Sequence, residues 1–237
     1  MKTNLSIVKD KAIRLIYTEP KVVEGFNVCR HPYIDTPVIN GIDTDKPFNI
    51  FQDTEKYLQW QEQFKEEIVH RKNVYSIFSL IRSAYRMAFF NGINQYLSDK
   101  DFAEMLALSW SAHGGKEIPE VELEAWFNKA DKSYLMNKRE QKIFSELPDQ
   151  VIVYRGVSSP AYKYGFSWTL NKKVAFWYAD RCESHNSCVY ECTVNKKDII
   201  CYFDTRNEAE IVIAPSISKE YGHKADKMKG IYIYEEG

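Results

Sequence analysis

The last third of this 237-residue chain carries an arginine, two hydroxyl groups and two carboxylates in a fixed order. Arg155 ends a strand-like apolar run, and the hydroxyl groups of Ser167 and Thr169 follow it. Glu208 and Glu210 then open a second apolar run. A guanidinium can grip a phosphate through parallel hydrogen bonds, and a carboxylate can stabilise positive charge that develops on a substrate. Each segment alone is a weak signal, so the hypothesis of an active site depends on all three in combination.

Three segments taken together resemble the Arg-Ser-Glu class of ADP-ribosyltransferases: Tyr154-Arg155-Gly156, Ser167-Trp168-Thr169 and Glu208-Ala209-Glu210. Members of this cholera-toxin-like superfamily place an arginine on the first core strand, a Ser-Thr-Ser-like motif on the next strand and a Glu-x-Glu or Gln-x-Glu motif further on. The match covers about residues 150 to 236, and the chain departs from it in reading Ser-Trp-Thr at the second motif. The resemblance implies a split, mostly antiparallel β-core with NAD⁺ as the substrate.

The resemblance also assigns roles to the three principal residues. Arg155 would grip a phosphate of NAD⁺, and its planar fork suits that anion better than lysine would. Ser167 would hold Glu210 and the nicotinamide ribose in register. Glu210 would hydrogen-bond the ribose 2′-hydroxyl. Breaking the nicotinamide–ribose bond develops positive charge on the sugar, as in glycoside cleavage, and the Glu210 carboxylate would stabilise it.

Neighbouring residues of these motifs complete the expected cofactor site. Gly156 and Thr169 are expected to lie against NAD⁺. Phe166, Trp168 or Phe176 could supply an apolar wall for the nicotinamide ring, and core packing is the alternative interpretation of each ring. No metal is required by this chemistry.

Glu208 bears on the choice of acceptor. In the family, the first acidic residue of Glu-x-Glu is associated with arginine acceptors, so the resemblance favours a protein acceptor with a modifiable arginine. Residues two apart in a strand point the same way, so Glu208 and Glu210 project to one side if the strand already begins there. The preceding segment 203–207 matches the loop that contacts the acceptor in relatives, although its composition is equally typical of a turn.

The predicted function is therefore a mono-ADP-ribosyltransferase that cleaves NAD⁺ and modifies a protein, with arginine as the expected acceptor. An NAD⁺ glycohydrolase and a nucleic-acid ADP-ribosyltransferase are alternatives that use the same site. A non-enzymatic α+β interaction protein is the alternative from another class, but it has no particular reason to place the three motifs in this order.

Four of the five cysteines crowd into one region, which raises the hypothesis of a zinc site with His185. The spacing argues against zinc because it contains no CxxC pair. Cys188 and Cys192 also fall in an alternating, strand-like run, which favours buried reduced thiols. The sequence therefore predicts no metal.

Helical spacing dominates the middle of the chain. Prolines and glycines before Asp53 indicate an extended N-terminal segment, with a possible short strand at 12–17. From Asp53 to about Leu147, apolar residues recur at helical spacing. Ser98 is a predicted helix N-cap, and Gly114 a predicted helix end.

Short strands follow Pro148. They are predicted at 151–154, 187–194, 198–203, 209–214 and 230–234, with a helix that Asn171 is expected to cap. Helices followed by strands are the order of an α+β protein. We therefore expect an N-terminal extended and helical region at 1–148 and a β-rich catalytic, NAD⁺-binding core at 149–237.

The charge is nearly balanced, with 32 Lys and Arg against 33 Asp and Glu. Such a balance gives no long-range attraction to an anionic membrane, and it disfavours nucleic acid as a partner without excluding it. No signal peptide or long apolar segment is evident, so a cytoplasmic location is expected, with action inside a host cell as one setting. The oligomeric state is left open.

Overall fold

The computed structural model describes residues 1–42, 46–181, 186–222 and 228–232. The protein is a mixed α+β structure with an antiparallel sheet, as predicted. In this described part of the chain, no helix has the length and apolar character that crossing a membrane requires.

The chain divides into two compact units, Met1–Glu117 and Ile118–Gly237. The unit that carries the large sheet thus begins with helices, ahead of the change from helical to strand-like sequence at residues 148–149. A catalytic core that starts at residue 149 stays a prediction.

Ten α-helices occur in the described residues. They are α1 (Leu5–Ile16), α2 (Thr54–His70), α3 (Val74–Phe78), α4 (Ser83–Ile93), α5 (Asp99–His113), α6 (Glu120–Lys129), α7 (Lys132–Leu135), α8 (Lys138–Glu146), α9 (Lys172–Asp180) and α10 (Pro215–Gly222). The strands are β1 (Lys21–Val22), β2 (Cys29–Arg30), β3 (Val38–Asn40), β4 (Pro47–Asn49), β5 (Gln150–Val157), β6 (Ser167–Thr169), β7 (Cys188–Asn195), β8 (Ile199–Phe203), β9 (Glu210–Ile213) and β10 (Met228–Tyr232).

The first unit corrects the prediction for the N-terminus. The strand predicted at 12–17 is wrong, because these residues belong to α1 apart from its C-cap Tyr17. The side chain of Asn4 caps the helix, and Val8, Ala12 and Ile16 are buried at a spacing of four residues. That spacing places one residue per turn on a single helix face. The extended character begins after α1, where the pairs β1–β2 and β3–β4 form two small ladders.

The helical region from Asp53 to Leu147 is confirmed, and its predicted end signals are confirmed with it. The side chain of Ser98 accepts a hydrogen bond from the backbone N–H of Asp101 and caps α5. Gly114 ends the same helix in the left-handed conformation, with φ 70°. The α8 helix ends at Glu146, one residue before Leu147.

In the second unit, the described strands form a six-stranded sheet in the order β10-β7-β5-β6-β9-β8. Every neighbouring pair is antiparallel. All five predicted strands are present, and the last is confirmed as far as Tyr232, since residues 233–234 lie outside the described residues. The sheet also contains β6, which is not among the strands predicted from the apolar pattern; its residues are noted there only as the Ser-Trp-Thr motif. Its pairing with β5 runs through Tyr154 and Thr169.

Gly156 allows α9 to lie directly on the sheet. A Cβ atom at this position would collide with the backbone carbonyl oxygen of Ala175 in α9. Ala175 and Ala179 of the helix pack with Val189 of β7 in a buried cluster. The small residues at this contact therefore bring α9 against β5 and β7, and they fix where the rest of that helix lies.

Candidate active site

The sheet brings Arg155, Ser167 and Glu210 onto three successive strands. Arg155 is on β5, Ser167 begins β6 and Glu210 begins β9, and these strands are neighbours in the order β5-β6-β9. Thr169 of β6 lies directly opposite Glu210. Directly opposed residues of antiparallel strands share a face, and so do residues two apart. Ser167, Thr169 and Glu210 therefore face the same side of the sheet, and so does Tyr154, which lies opposite Thr169 on β5. The side chain of Arg155, the next residue, leaves β5 on the other side.

Arg155 joins β5 to β6 through its guanidinium. Its Nη1 donates to the backbone carbonyl of Ser167 at 2.5 Å, and its Nε donates to that of Tyr162 at 3.1 Å. A side chain at Gly165 would strike the guanidinium, so this glycine leaves room for it. Burial lowers the pKa of Arg155 to about 10, and the negative charge of Glu210 opposes that shift. The group thus remains cationic at neutral pH and acts electrostatically on Glu210; its grip on a phosphate stays a prediction.

Glu210 is a buried carboxylate, with 4% of its surface exposed. Burying a carboxylate is costly unless positive charge or hydrogen bonds compensate for it. Arg155 supplies positive charge from β5. Arg206 supplies more from the preceding loop, where its Nη2 lies 4.0 Å from Oε2 of Glu210. The carboxylate is thus held in a site where its charge has a strong effect on anything bound nearby.

Glu208 lies outside the strand, so the condition for simple alternation with Glu210 is not met. The strand β9 begins at Glu210. Asn207 and Ala209, on either side of Glu208, have positive φ angles of 56° and 46°. The two carboxylates nevertheless share a partner, because Nη2 of Arg206 is 2.7 Å from Oε2 of Glu208.

Tyr178 of α9 also holds Glu208. Its hydroxyl donates a 2.6 Å hydrogen bond to Oε1 of Glu208. Burial, with this hydrogen bond, raises the pKa of Tyr178 to about 12, so the hydroxyl keeps its proton at neutral pH. Glu208 therefore has one oxygen fixed by α9 and the other paired with a guanidinium.

A short network fixes the loop between β8 and β9. Asp204 accepts a hydrogen bond from the N–H of Ala209 on its side chain and one from the N–H of Asn207 on its carbonyl. The N–H of Asp204 donates in turn to Oε1 of Glu140 at 2.9 Å. Glu140 is buried, and its other oxygen accepts from the N–H of Asn137 in a capping box that begins α8. The loop that carries Glu208 is therefore anchored to α8.

Thr169 ties the same loop to α9. Its hydroxyl donates to the carbonyl of Glu208 at 2.6 Å and accepts from the N–H of Asn171 at 2.9 Å. Asn171 caps α9, as predicted. The observed contacts of Thr169 are thus with the protein backbone, and contact with NAD⁺ stays a prediction.

The candidate aromatic wall belongs largely to the core. Trp168 is only 2% exposed, and its indole N–H donates to the carbonyl of Gly165. Phe166 is buried against Phe127 of α6, with ring centroids 5.7 Å apart. Phe176 is partly buried beside the α9 cluster. Core packing describes the Trp168 and Phe166 rings, and a role beside nicotinamide stays a prediction.

The sequence analysis did not single out Arg206, Tyr178 or Glu140 as site residues, although Arg206 lies in the segment 203–207 that the resemblance assigns to contact with the acceptor. Arg206 stands in a segment of turn-like composition, and the spacing of Tyr178 in α9 marks it only as a helix residue. Glu140 did have a local signal, since Asn137 followed three residues later by glutamate is typical of a capping box. Its contact with Asp204 is long-range and has no local signal.

The structure tests part of the prediction that the clustered cysteines are buried thiols and not zinc ligands. Cys188 and Cys192 are buried thiols on β7. Cys182 and His185 lie outside the described residues. Within those residues, no cluster of three or more His, Cys, Asp or Glu side chains is arranged to hold a metal ion.

Comparison of the chain with protein-family models, with curated proteins and with solved structures gave no match.

Proposed function

We propose that this protein is an NAD⁺-dependent mono-ADP-ribosyltransferase that modifies an arginine of a protein acceptor. The observation that carries the proposal is that Arg155, Ser167 and Glu210 stand on three adjacent strands, with Arg155 bonded to the Ser167 backbone and close enough to Glu210 to act on its charge. We also propose that the sheet is the split β-core of this enzyme class. The thin junction between β5 and β6, through Tyr154 and Thr169, supports that part of the proposal.

The proposed chemistry begins with cleavage of the bond between the ribose C1′ and the nicotinamide nitrogen. Nicotinamide leaves with the bonding electrons, and positive charge develops on the ribose ring. Glu210 stabilises this charge and accepts a hydrogen bond from the 2′-hydroxyl. Since the carboxylate is buried and held before the reaction starts, little reorganisation is needed as the charge appears.

Arg155 and Ser167 position the reaction. Arg155 holds the β6 backbone at Ser167, and its N–H groups directed away from the two carbonyls are the donors that we assign to an NAD⁺ phosphate. Ser167 lies two residues before Thr169 on β6, and Thr169 is directly opposite Glu210. Its hydroxyl is therefore on the correct face to orient the ribose beside the carboxylate.

Glu208 receives the acceptor. A guanidinium is already seen to pair with this carboxylate, since Arg206 approaches it at 2.7 Å. An incoming arginine would be oriented in the same way, and Glu208 would accept the proton that the guanidinium loses as it attacks C1′. The acceptor that we propose is a cytoplasmic protein, either of the same cell or of a host cell.

The test is nicotinamide release from NAD⁺ by the full chain and by Glu210→Gln. This substitution keeps the size of the side chain and removes its charge. We expect it to lower the rate by roughly 10²- to 10³-fold, the range seen when one transition-state stabilising group is lost. Glu191→Gln is the matched control, because Glu191 is a partly buried glutamate on β7 of the same sheet.

A label on NAD⁺ separates the alternatives. Labelled arginine-containing protein indicates transfer, and release of nicotinamide with free ADP-ribose indicates a glycohydrolase. Parent protein that releases no nicotinamide, or Glu210→Gln protein that releases it at the parent rate, contradicts the proposal and favours a binding protein.

A further inference from the structure

Arg206 is a guanidinium that the structure pairs with both carboxylates of the proposed reaction centre. We propose that Arg206 is itself an acceptor, so that the protein ADP-ribosylates its own β8–β9 loop. This inference rests on the proposed function, because it needs the NAD⁺ cleavage assigned to Glu210. It adds a modification site within the chain and assigns its chemical class, an N-glycosidic ADP-ribosyl arginine.

Distances to the two carboxylates carry the inference. Nη2 of Arg206 is 2.7 Å from Oε2 of Glu208 and 4.0 Å from Oε2 of Glu210. Glu208 is the group assigned to orient an acceptor guanidinium, and Glu210 is the group assigned to the ribose. A nitrogen that contacts the first and lies close to the second is next to the carbon that becomes electrophilic. The side chain of Arg206 is also 43% exposed, which leaves space on its outer side for the product.

The transfer balances without a further reagent. The bond from C1′ to the nicotinamide nitrogen breaks, and neutral nicotinamide leaves with the electron pair. An Nη nitrogen of Arg206 gives a proton to Glu208 and uses its lone pair to form the new bond to C1′. Glu208 then releases the proton to solvent. The products are ADP-ribosyl-Arg206, nicotinamide and one proton.

Exposure alone would select a different arginine of the same loop region. Arg139 is more accessible, with 77% of its side chain exposed, and its Nη2 lies 3.4 Å from Oδ2 of Asp204. It therefore touches the same loop without being paired with either Glu208 or Glu210 in the ion pairs described. A reactive group fixed beside the electrophile gains a large rate advantage over one that must diffuse to it. Proximity thus predicts modification of Arg206 in preference to Arg139.

The experiment uses the full chain with NAD⁺ and no added acceptor. Intact-mass measurement gives the number of ADP-ribose groups per chain, peptide mapping gives their position, and nicotinamide release is followed in the same samples. We expect one group per chain, on Arg206, at a rate per chain that does not change on tenfold dilution. Arg206→Lys keeps a positive charge in the loop and should lower labelling at least tenfold, and Arg139→Lys should label as the parent does. Thermal unfolding of each variant checks its folding, and the peptide map of the parent does not depend on any variant.

The outcomes separate this inference from the proposed function. If nicotinamide is released in a Glu210-dependent way and the label is absent, or maps to a residue other than Arg206, the inference is wrong and the proposed function stands. A labelling rate per chain that rises in proportion to protein concentration also overturns it, because that dependence shows transfer between molecules. If the parent protein releases no nicotinamide, both the proposed function and the inference about Arg206 are wrong.

Discussion

Two parts of the candidate site are held in different ways. The strand-borne group, Arg155, Ser167 and Glu210, sits on β5, β6 and β9, where ladder hydrogen bonds set the register. The loop-borne group, Arg206 and Glu208, precedes β9 and is held by side chains from α8 and α9. We infer that the first group is built for one fixed task, stabilising charge on the ribose, and that the second can exchange one guanidinium for another.

This difference has an energetic consequence. A change in the strand-borne group disturbs packing and register together, so it lowers the free energy of unfolding. A change in the loop-borne group removes one or two hydrogen bonds near the surface and mainly alters which acceptor is used. The following substitutions test that contrast.

The largest effect is expected from Gly156→Ala, on the same strand as Arg155 and directly after it. The new methyl group would meet the Ala175 carbonyl oxygen, which is backbone and cannot rotate away. We expect the free energy of unfolding to fall by about 3 kcal/mol, the upper part of the usual range for overpacking. Gly92→Ala is the matched control, since a Cβ atom there, near the C-terminal end of α4, meets nothing within 4 Å. This control should be stabilising by up to about 1 kcal/mol. Equal effects of the two changes in urea unfolding would contradict the close approach of α9.

Arg155→Lys is expected to have the next largest effect. Lysine keeps the charge, but a single ammonium cannot reproduce the fork that reaches the carbonyls of Ser167 and Tyr162. Loss of one charged hydrogen bond should lower the free energy of unfolding by about 2 kcal/mol. Arg139→Lys, at an exposed site, should leave the urea midpoint unchanged. A midpoint for Arg155→Lys that matches the parent would show that the two bonds contribute no stability.

Glu140→Ala tests the anchor of the loop. It removes the acceptor for the N–H groups of Asn137 and Asp204. We expect a loss of about 1.5 kcal/mol in the free energy of unfolding, because two backbone donors lose their partner at a partly buried site. Glu146→Ala, at the exposed end of the same helix, should show no measurable change. If the two variants unfold at the same urea concentration, α8 does not support the loop.

Tyr178→Phe is expected to have the smallest effect on stability and a selective effect on activity. It removes the hydrogen bond to Glu208, which contributes about 1 kcal/mol. We expect transfer to a guanidine acceptor to fall roughly fivefold, the rate equivalent of that energy, while nicotinamide release stays within about twofold of the parent rate. Tyr134→Phe, at an exposed tyrosine of α7, is the control. A matching fall in release and transfer would place Tyr178 with the strand-borne group.

Local signals in the sequence predict most elements of this fold. Helix caps depend only on residues next to them in the sequence. The capping roles of Ser98, Gly114 and Asn171 can therefore be predicted without the structure. The strands that carry Arg155 and Glu210 could be predicted because their apolar residues occur in short runs bounded by turns.

The relation between Glu208 and the rest of the site could not be predicted in the same way. Ala209 has a φ of 46°, a conformation that its residue type does not favour, so the strand starts later than the apolar pattern suggests. The partners of Glu208, Tyr178 and Arg206, are chosen by tertiary packing. The same limit applies to α1, where the short, mostly apolar run at 12–17 suggested a strand. Burial at every fourth residue shows that the segment is a helix.

The contrast between the two carboxylates can be measured directly. Nicotinamide release and transfer to a small guanidine acceptor would be followed in parallel for the parent, Glu208→Gln and Glu210→Gln. We expect Glu210→Gln to lose both activities and Glu208→Gln to keep most of the release while losing the transfer. Glu210→Gln protein that still cleaves NAD⁺ at the parent rate would contradict the assignment of the buried carboxylate on β9 to charge stabilisation.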